Sequence, residues 1–297
     1  MRKILFSFAL VILLVFVVGS CKKAEADTET QSATDNAIAE GEFMDLAPTT
    51  SNKAINKPGV SGLKITDIAQ TCVYDTVFSK VYDDDAEILT SQDTSTTGGL
   101  ALWPRLYEIN FGGCAGADGK VRTGKLKVVM YQRWSKSLET AQVGTKQKMK
   151  IKFDALHPYK VDDVLYSADS ITLIREKTLS GTASEIKIYK GVCSHGWTIN
   201  WSADRKVEFD LDTDGNILST KVTGTANGIN RKGDSFSTVI TSPLVKKADC
   251  KWIQSGVVDI TPSGKATRTI DYGTSGCDNK ATLTIKGNTF NFEIPDK

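Results

Sequence analysis

From residue 63 to the C-terminus, apolar and polar residues alternate in short runs broken by Gly, Asp and Asn. Lys125-Leu-Lys-Val-Val-Met-Tyr131 begins as a strict alternation, and Lys148-Met-Lys-Ile-Lys-Phe153 keeps it throughout. Similar runs occupy 170–174, 185–189, 196–201, 206–211, 217–224, 235–241, 252–261, 266–272, 281–285 and 289–294. Side chains with this period point alternately to opposite faces of a strand. Asp118-Gly119, Asp214-Gly215-Asn216, Lys232-Gly233-Asp234, Ser263-Gly264 and Gly287-Asn288 stand between the runs as turn signals. Many short strands joined by tight turns predict an all-β fold: an antiparallel meander sheet, curved or barrel-like, with one buried and one wet face. No long helical period interrupts the runs, which argues against a parallel α/β arrangement.

The first 60 residues follow other patterns. Arg2-Lys3, an apolar stretch over 4–18 and then Val18-Gly19-Ser20-Cys21 read as a secretory signal peptide. Its end resembles the lipobox of bacterial lipoproteins. This stretch of 15 residues is too short to span a bilayer, which takes about 20. Cys21 is therefore expected to be acylated and to hold the mature chain on a lipid bilayer. The expected location is the outer membrane, on the periplasmic side or the cell surface. Residues 22–35 are small and polar without periodicity, and predict a disordered tether. Ile38, Phe43, Met44 and Leu46 make a rough apolar stripe for a short N-terminal helix. Asp35 or Asn36 would cap it and Pro48 would end it. The expected plan is a signal peptide at 1–20, a lipidated tether with the helix at 21–60, and a β domain at 61–297. Two pseudo-repeated halves, 61–165 and 166–297, are expected within that domain.

Charge narrows the partners. The sequence has 37 basic and 35 acidic residues, and losing 1–20 removes Arg2 and Lys3, leaving 35 of each. A neutral chain without long basic runs argues against a nucleic-acid partner.

Five cysteines follow Cys21: 72, 114, 193, 250 and 277. A hairpin turning at Pro262-Ser263-Gly264-Lys265 without a bulge places Cys250 directly opposite Cys277, within disulfide reach. Ile109-Asn-Phe-Gly-Gly-Cys114 echoes Ile270-Asp-Tyr-Gly-Thr-Ser-Gly-Cys277, and points to a second closed hairpin, Cys72 with Cys114. Export permits oxidation.

The segments Asn110-Phe-Gly-Gly-Cys-Ala-Gly-Ala-Asp-Gly-Lys-Val-Arg-Thr-Gly-Lys125, Gly224-Thr-Ala-Asn-Gly-Ile-Asn-Arg231 and Arg268-Thr-Ile-Asp-Tyr-Gly-Thr-Ser-Gly-Cys-Asp-Asn-Lys-Ala281 resemble motifs of uncharacterised lipoproteins from Bacteroidota. The resemblance spans most of 35–297. It implies an exported, cysteine-containing β domain and carries no activity with it.

Motifs with chemistry are few. Asp210, Asp212 and Asp214, followed by Gly215, have the spacing of a calcium loop, but Lys221 stands where the bidentate Glu is needed. A hairpin turn accounts for them better. Cys193-Ser-His195 puts a thiol and an imidazole at strand spacing, and His157 is the other histidine. One such pair without a second is a poor zinc or nucleophile signature. Gly119-Lys-Val-Arg-Thr-Gly-Lys125 lacks the Ser/Thr and the helix of a phosphate loop. Trp197 and Trp201, four apart around Ile199, fit a stacking platform or sheet core, and core is the better reading. The expectation is an exported binding or structural module with no cofactor or resident metal. A carrier for an apolar ligand and a glycan hydrolase are the alternatives.

Overall fold

The computed structural model describes residues 27–55, 73–81, 104–131, 138, 140–212, 217–274 and 276–295. Within them lie a helix, α1 (Gln31–Ile55), and one antiparallel sheet of 15 strands. The strands are β1 (Val73–Val81), β2 (Arg105–Ala115), β3 (Val121–Met130), β4 (Lys146–Phe153), β5 (Lys160–Val161), β6 (Val164–Ser167), β7 (Ser170–Thr178) and β8 (Gly181–Ser194). They continue with β9 (Thr198–Leu211), β10 (Ile217–Ile229), β11 (Ser235–Lys247), β12 (Ser255–Pro262), β13 (Arg268–Asp271), β14 (Lys280–Ile285) and β15 (Asn288–Glu293). Apart from the β5–β6 hairpin, strands neighbour in chain order, so the fold is the all-β meander that the alternation predicts.

The sheet is curved and partly closed on itself. β3, β4, β7, β8, β6 and β5 each pair the next, and β5 pairs β3 again, making a ring. Register shifts at Ile188/Gly191 and Val222/Gly224 add local bend and twist. Gly124 (φ 88°) lies where the loop before β5 crosses β3: a Cβ there would sit 2.0 Å from the Pro158 carbonyl oxygen. Only glycine lets that loop lie down and carry Tyr159 inward.

The helix differs most from expectation. It is longer, it runs through Pro48, and none of its described side chains is exposed. Residues from Asp27 onward, expected in a tether, are built into the domain. Glu29 caps the helix start, accepting from the Ser32 amide at 2.8 Å. Past Pro48, Thr50 Oγ1 donates to the Leu46 carbonyl at 2.6 Å. Phe43 stacks on Trp201 of β9 at 5.2 Å between ring centroids and meets Tyr166 of β6 edge-on at 6.0 Å. Gly191 of β8 makes room, since a Cβ there would come within 2.9 Å of Phe43 Cζ. Ala33, Ala37, Ala39, Met44, Leu46 and Ala47 are buried against the sheet's inner face. Each large apolar side chain so buried contributes roughly 1.5–3 kcal/mol.

The hairpin of β12 and β13 corrects the predicted register. Val258 pairs Ile270 and Ile260 pairs Arg268, one residue off the bulge-free alignment. Cys250 and Cys277 are not cross-strand partners; they lie in the loops before β12 and before β14, where they form a disulfide with Cα atoms 5.7 Å apart. The longer turn, with Thr261 Oγ1 2.9 Å from Thr267 Oγ1, absorbs the extra residue. A division at residue 165 falls inside β6, which belongs to the common sheet. The signal peptide and Cys21 lie outside the described residues, as do Cys72 and the side chain of Cys114. The β1 and β2 backbones flanking that second cysteine pair are antiparallel, with Val73 opposite Phe111.

Candidate functional site

The sheet's interior is charged. Inward positions of a strand share a parity, and in several strands that parity runs from apolar residues straight into a cation. Leu126 and Val128 of β3 continue back to Arg122, Trp201 and Ala203 of β9 lead to Arg205, Leu244 of β11 to Lys246, and Ile270 of β13 to Arg268. Each of these cations is at most 8% exposed. Isolated charges in such surroundings cost several kcal/mol each. The counter-charges come from α1, from the residues just before it and, for Arg122, also from Asp118 in the β2–β3 turn.

Arg205 holds Glu40 through two hydrogen bonds, Nε to Oε1 at 3.0 Å and Nη2 to Oε2. Asp45 receives Lys120 Nζ at 2.5 Å and Lys246 Nζ at 2.7 Å. Glu42 takes Lys120 Nζ at 2.9 Å and the Tyr159 hydroxyl at 2.8 Å. Arg122 forks onto Asp118 at 2.9 and 2.7 Å and donates from Nε to Tyr159 at 3.2 Å. Nearer the helix start, Asp35 accepts the Arg231 amide and Nε, both at 2.7 Å, and Asp27 and Glu29 pair with Arg268. Neutral contacts follow the same line: Trp201 Nε1 donates to Asn36 at 3.0 Å and Asn230 Nδ2 to Ser32 at 3.0 Å.

The site's ionisations follow from these contacts. Burial would lower Lys120, but Asp45 and Glu42 together raise it above an ordinary lysine. Lys246 is lowered, because burial outweighs its attraction to Asp45. Burial would raise Asp118, yet Arg122 holds its carboxyl below the usual range. Burial and Glu42 raise Tyr159 and keep its proton on oxygen, where it serves as a donor.

Two small cavities flank the helix. A void of about 10 Å³, room for one water-sized sphere, lies between Phe43, Met44 and Glu40 on one side and Ile186, Ile188 and Trp201 on the other. On the opposite side a crevice of about 50 Å³ runs past Ile38 and Gly41, between β5–β6 and the Trp252 loop. The match between helix and sheet is incomplete: Arg205 Nη1, Asn36 Nδ2 and Tyr272 Oη are buried without a hydrogen-bond partner among the described residues.

The residues singled out from sequence lie elsewhere. Asp210 is exposed one residue before the end of β9, Asp212 follows the strand, and Asp214 is outside the described residues; Leu211 pairs Ile217 of β10. Cys193 is fully buried in β8, with its thiol raised by desolvation, whereas His195 is exposed beyond the strand end. The expected shared face for these two is absent. His195 Nδ1 lies 3.3 Å from the Asp163 carbonyl, and His157 Nδ1 lies 3.3 Å from Asp154. Trp201 is core, while Trp197 is partly exposed under Arg231, whose guanidinium sits 4.0 Å from its ring centroid. An outer groove of about 740 Å³ near the β7–β8 turn holds Glu176, Glu185 and Glu208. Each is ion-paired with a lysine, Lys146, Lys187 and Lys221 respectively.

Sequence reading missed the ionic interior, although Lys120 and Arg122 fall inside the discarded phosphate-loop motif. Cations on the apolar parity of strands were the available signal. Comparison with protein-family models, curated proteins and solved structures finds no match to this chain.

Proposed function

We propose that this chain is a lipid-anchored exported module that binds or builds rather than catalyses, held on the outer membrane through acylated Cys21. The observation that carries this reading is the helix itself. The concave side of the sheet, where a cleft would serve catalysis, is occupied by α1 with its carboxylates matched to buried cations. The candidate acid–base and thiol groups are scattered instead: Cys193 is buried, His195 meets a carbonyl, and the groove glutamates are tied to lysines. Metabolic labelling with an alkyne fatty acid tests the anchor. The wild-type chain should be labelled and sediment with membranes, and Cys21→Ser should be unlabelled and released. Assays on glycan and ester substrates test the second half. Turnover that disappears on replacing Glu176, Glu185 or Glu208 by Gln would overturn the binding reading.

A further inference from the structure

We propose that α1 is a displaceable occupant of the sheet's interior, and that the wall it covers is a binding site for an anionic amphiphile: an acyl chain ending in a carboxylate or phosphate. This deepens the binding reading and rests on it.

The wall has the two chemistries such a ligand needs. Ile186, Ile188, Trp201, Val207 and Val222 form a continuous apolar surface on β8, β9 and β10. Arg205 lies within it, between Trp201 and Val207 on β9 and opposite Ile186, 2% exposed, with Nη1 unpaired among the described residues. The helix presents the matching pair, Phe43 and Met44 on the apolar surface and Glu40 on Arg205. It thus stands in for an apolar chain with an anionic head.

Three observations separate this helix from a permanent core element. A helix with no exposed face is ordinarily apolar nearly all round, but this one buries Asp35, Glu40, Glu42 and Asp45. Buried ion pairs add little net stability over apolar residues of the same size, and both partners can be rehydrated when separated. The fit leaves buried donors unpaired on both surfaces, Asn36 Nδ2 on the helix and Arg205 Nη1 on the wall. Finally, the crevice past Gly41, where a Cβ would meet nothing within 4 Å, marks a seam along the helix.

The test uses the mature chain with Cys21→Ser, so that no attached acyl group competes. Dodecanoate, dodecyl phosphate and neutral dodecyl maltoside are each titrated below their micelle thresholds, with hydrogen exchange read over 31–50. Saturable binding of either anionic amphiphile, with at least tenfold faster exchange in the helix and none of this with the maltoside, supports the proposal; the tighter head group names the ligand. Two variants must move affinity in opposite directions. Arg205→Met should weaken binding at least tenfold, and Glu40→Gln, which loosens the helix but keeps the cation, should strengthen it. General destabilisation cannot give both signs. No saturable binding, equal binding of the maltoside, or an unchanged helix on binding would each overturn the inference and leave the binding reading standing. Substrate turnover in the assays above would instead overturn that reading.

Discussion

At the scale of single residues, the protein rests on charges that cannot be left alone. Arg205 and Glu40 are at most 2% exposed and hold each other through a forked contact. Removing one partner leaves an uncompensated buried charge, which costs about 3–5 kcal/mol. Arg205→Met is therefore expected to lower the urea-unfolding free energy by about that amount, and adding Glu40→Met should recover most of it. Non-recovery in the double variant would mean that the pair's geometry matters more than its charge. Asp154 shows the opposite, surface-side case. Partial burial would raise its carboxyl, but Lys127 and the amides of Leu156 and His157 pull it down to about 2. A carboxyl held below its unfolded value contributes stability above that value, about 3.9, and loses it as pH falls toward the folded value. The melting-temperature difference between wild type and Asp154→Asn should be constant from pH 7 to 5. It should shrink between about pH 4 and pH 2; a difference that persists at pH 2 would show that the carboxyl is not held in its charged form.

At the scale of elements, the strands were legible throughout, whereas the helix was legible in place but not in length or burial, for a physical reason. A strand with one buried face writes its burial into every second residue, as Lys148-Met-Lys-Ile-Lys-Phe153 does. A helix with no exposed face writes only a blurred stripe, as Ile38, Phe43, Met44 and Leu46 do. Its polar residues mark ion pairs to partners 75 to 201 positions away, which no local pattern carries. Pro48 reads as a stop, yet the helix continues to Ile55. The hairpin of β12 and β13 shows the limit of register arithmetic: the pairing of Cys250 with Cys277 was legible, but their place in loops was not, because the longer turn shifts every partner by one. That disulfide closes a loop with a sequence separation of 27. The chain-entropy relation gives about 3.5 kcal/mol for a loop of that size. Replacing both cysteines by Ala should lower unfolding stability by roughly that amount and expose the loops before β12 and β14 to proteolysis, with β7–β10 protected as before. A stability change under about 1 kcal/mol would mean that these loops are already ordered in the unfolded chain.

At the scale of the whole molecule, charge divides along the chain in a way the neutral total conceals. Residues 21–55 hold 3 basic and 7 acidic side chains, net −4, and residues 56–297 hold 32 basic and 28 acidic, net +4. Much of that opposition is spent inside, where α1 meets Lys120, Arg122, Arg205, Arg231 and Lys246 from strands and turns all round the sheet. The helix is therefore the counter-ion of the fold as well as part of its core. A chain of residues 56–297 made without it should be loosely packed, with near-ultraviolet circular dichroism weakened and dye binding raised, because the buried cations Lys120, Arg205, Lys246 and Arg268 lose their carboxylate partners. A synthetic peptide of residues 27–55 added in trans should restore the ordered spectrum with 1:1 stoichiometry. Steering between opposite net charges acts on encounter and is screened by salt, whereas buried contacts govern release. Raising sodium chloride from about 0.05 to 0.5 M should accordingly slow association about tenfold or more and leave dissociation nearly unchanged. Restoration that is insensitive to salt in both rates would place the recognition in the Phe43–Trp201 contact and its apolar neighbours, and would remove the ionic lattice from any part in guiding the helix home.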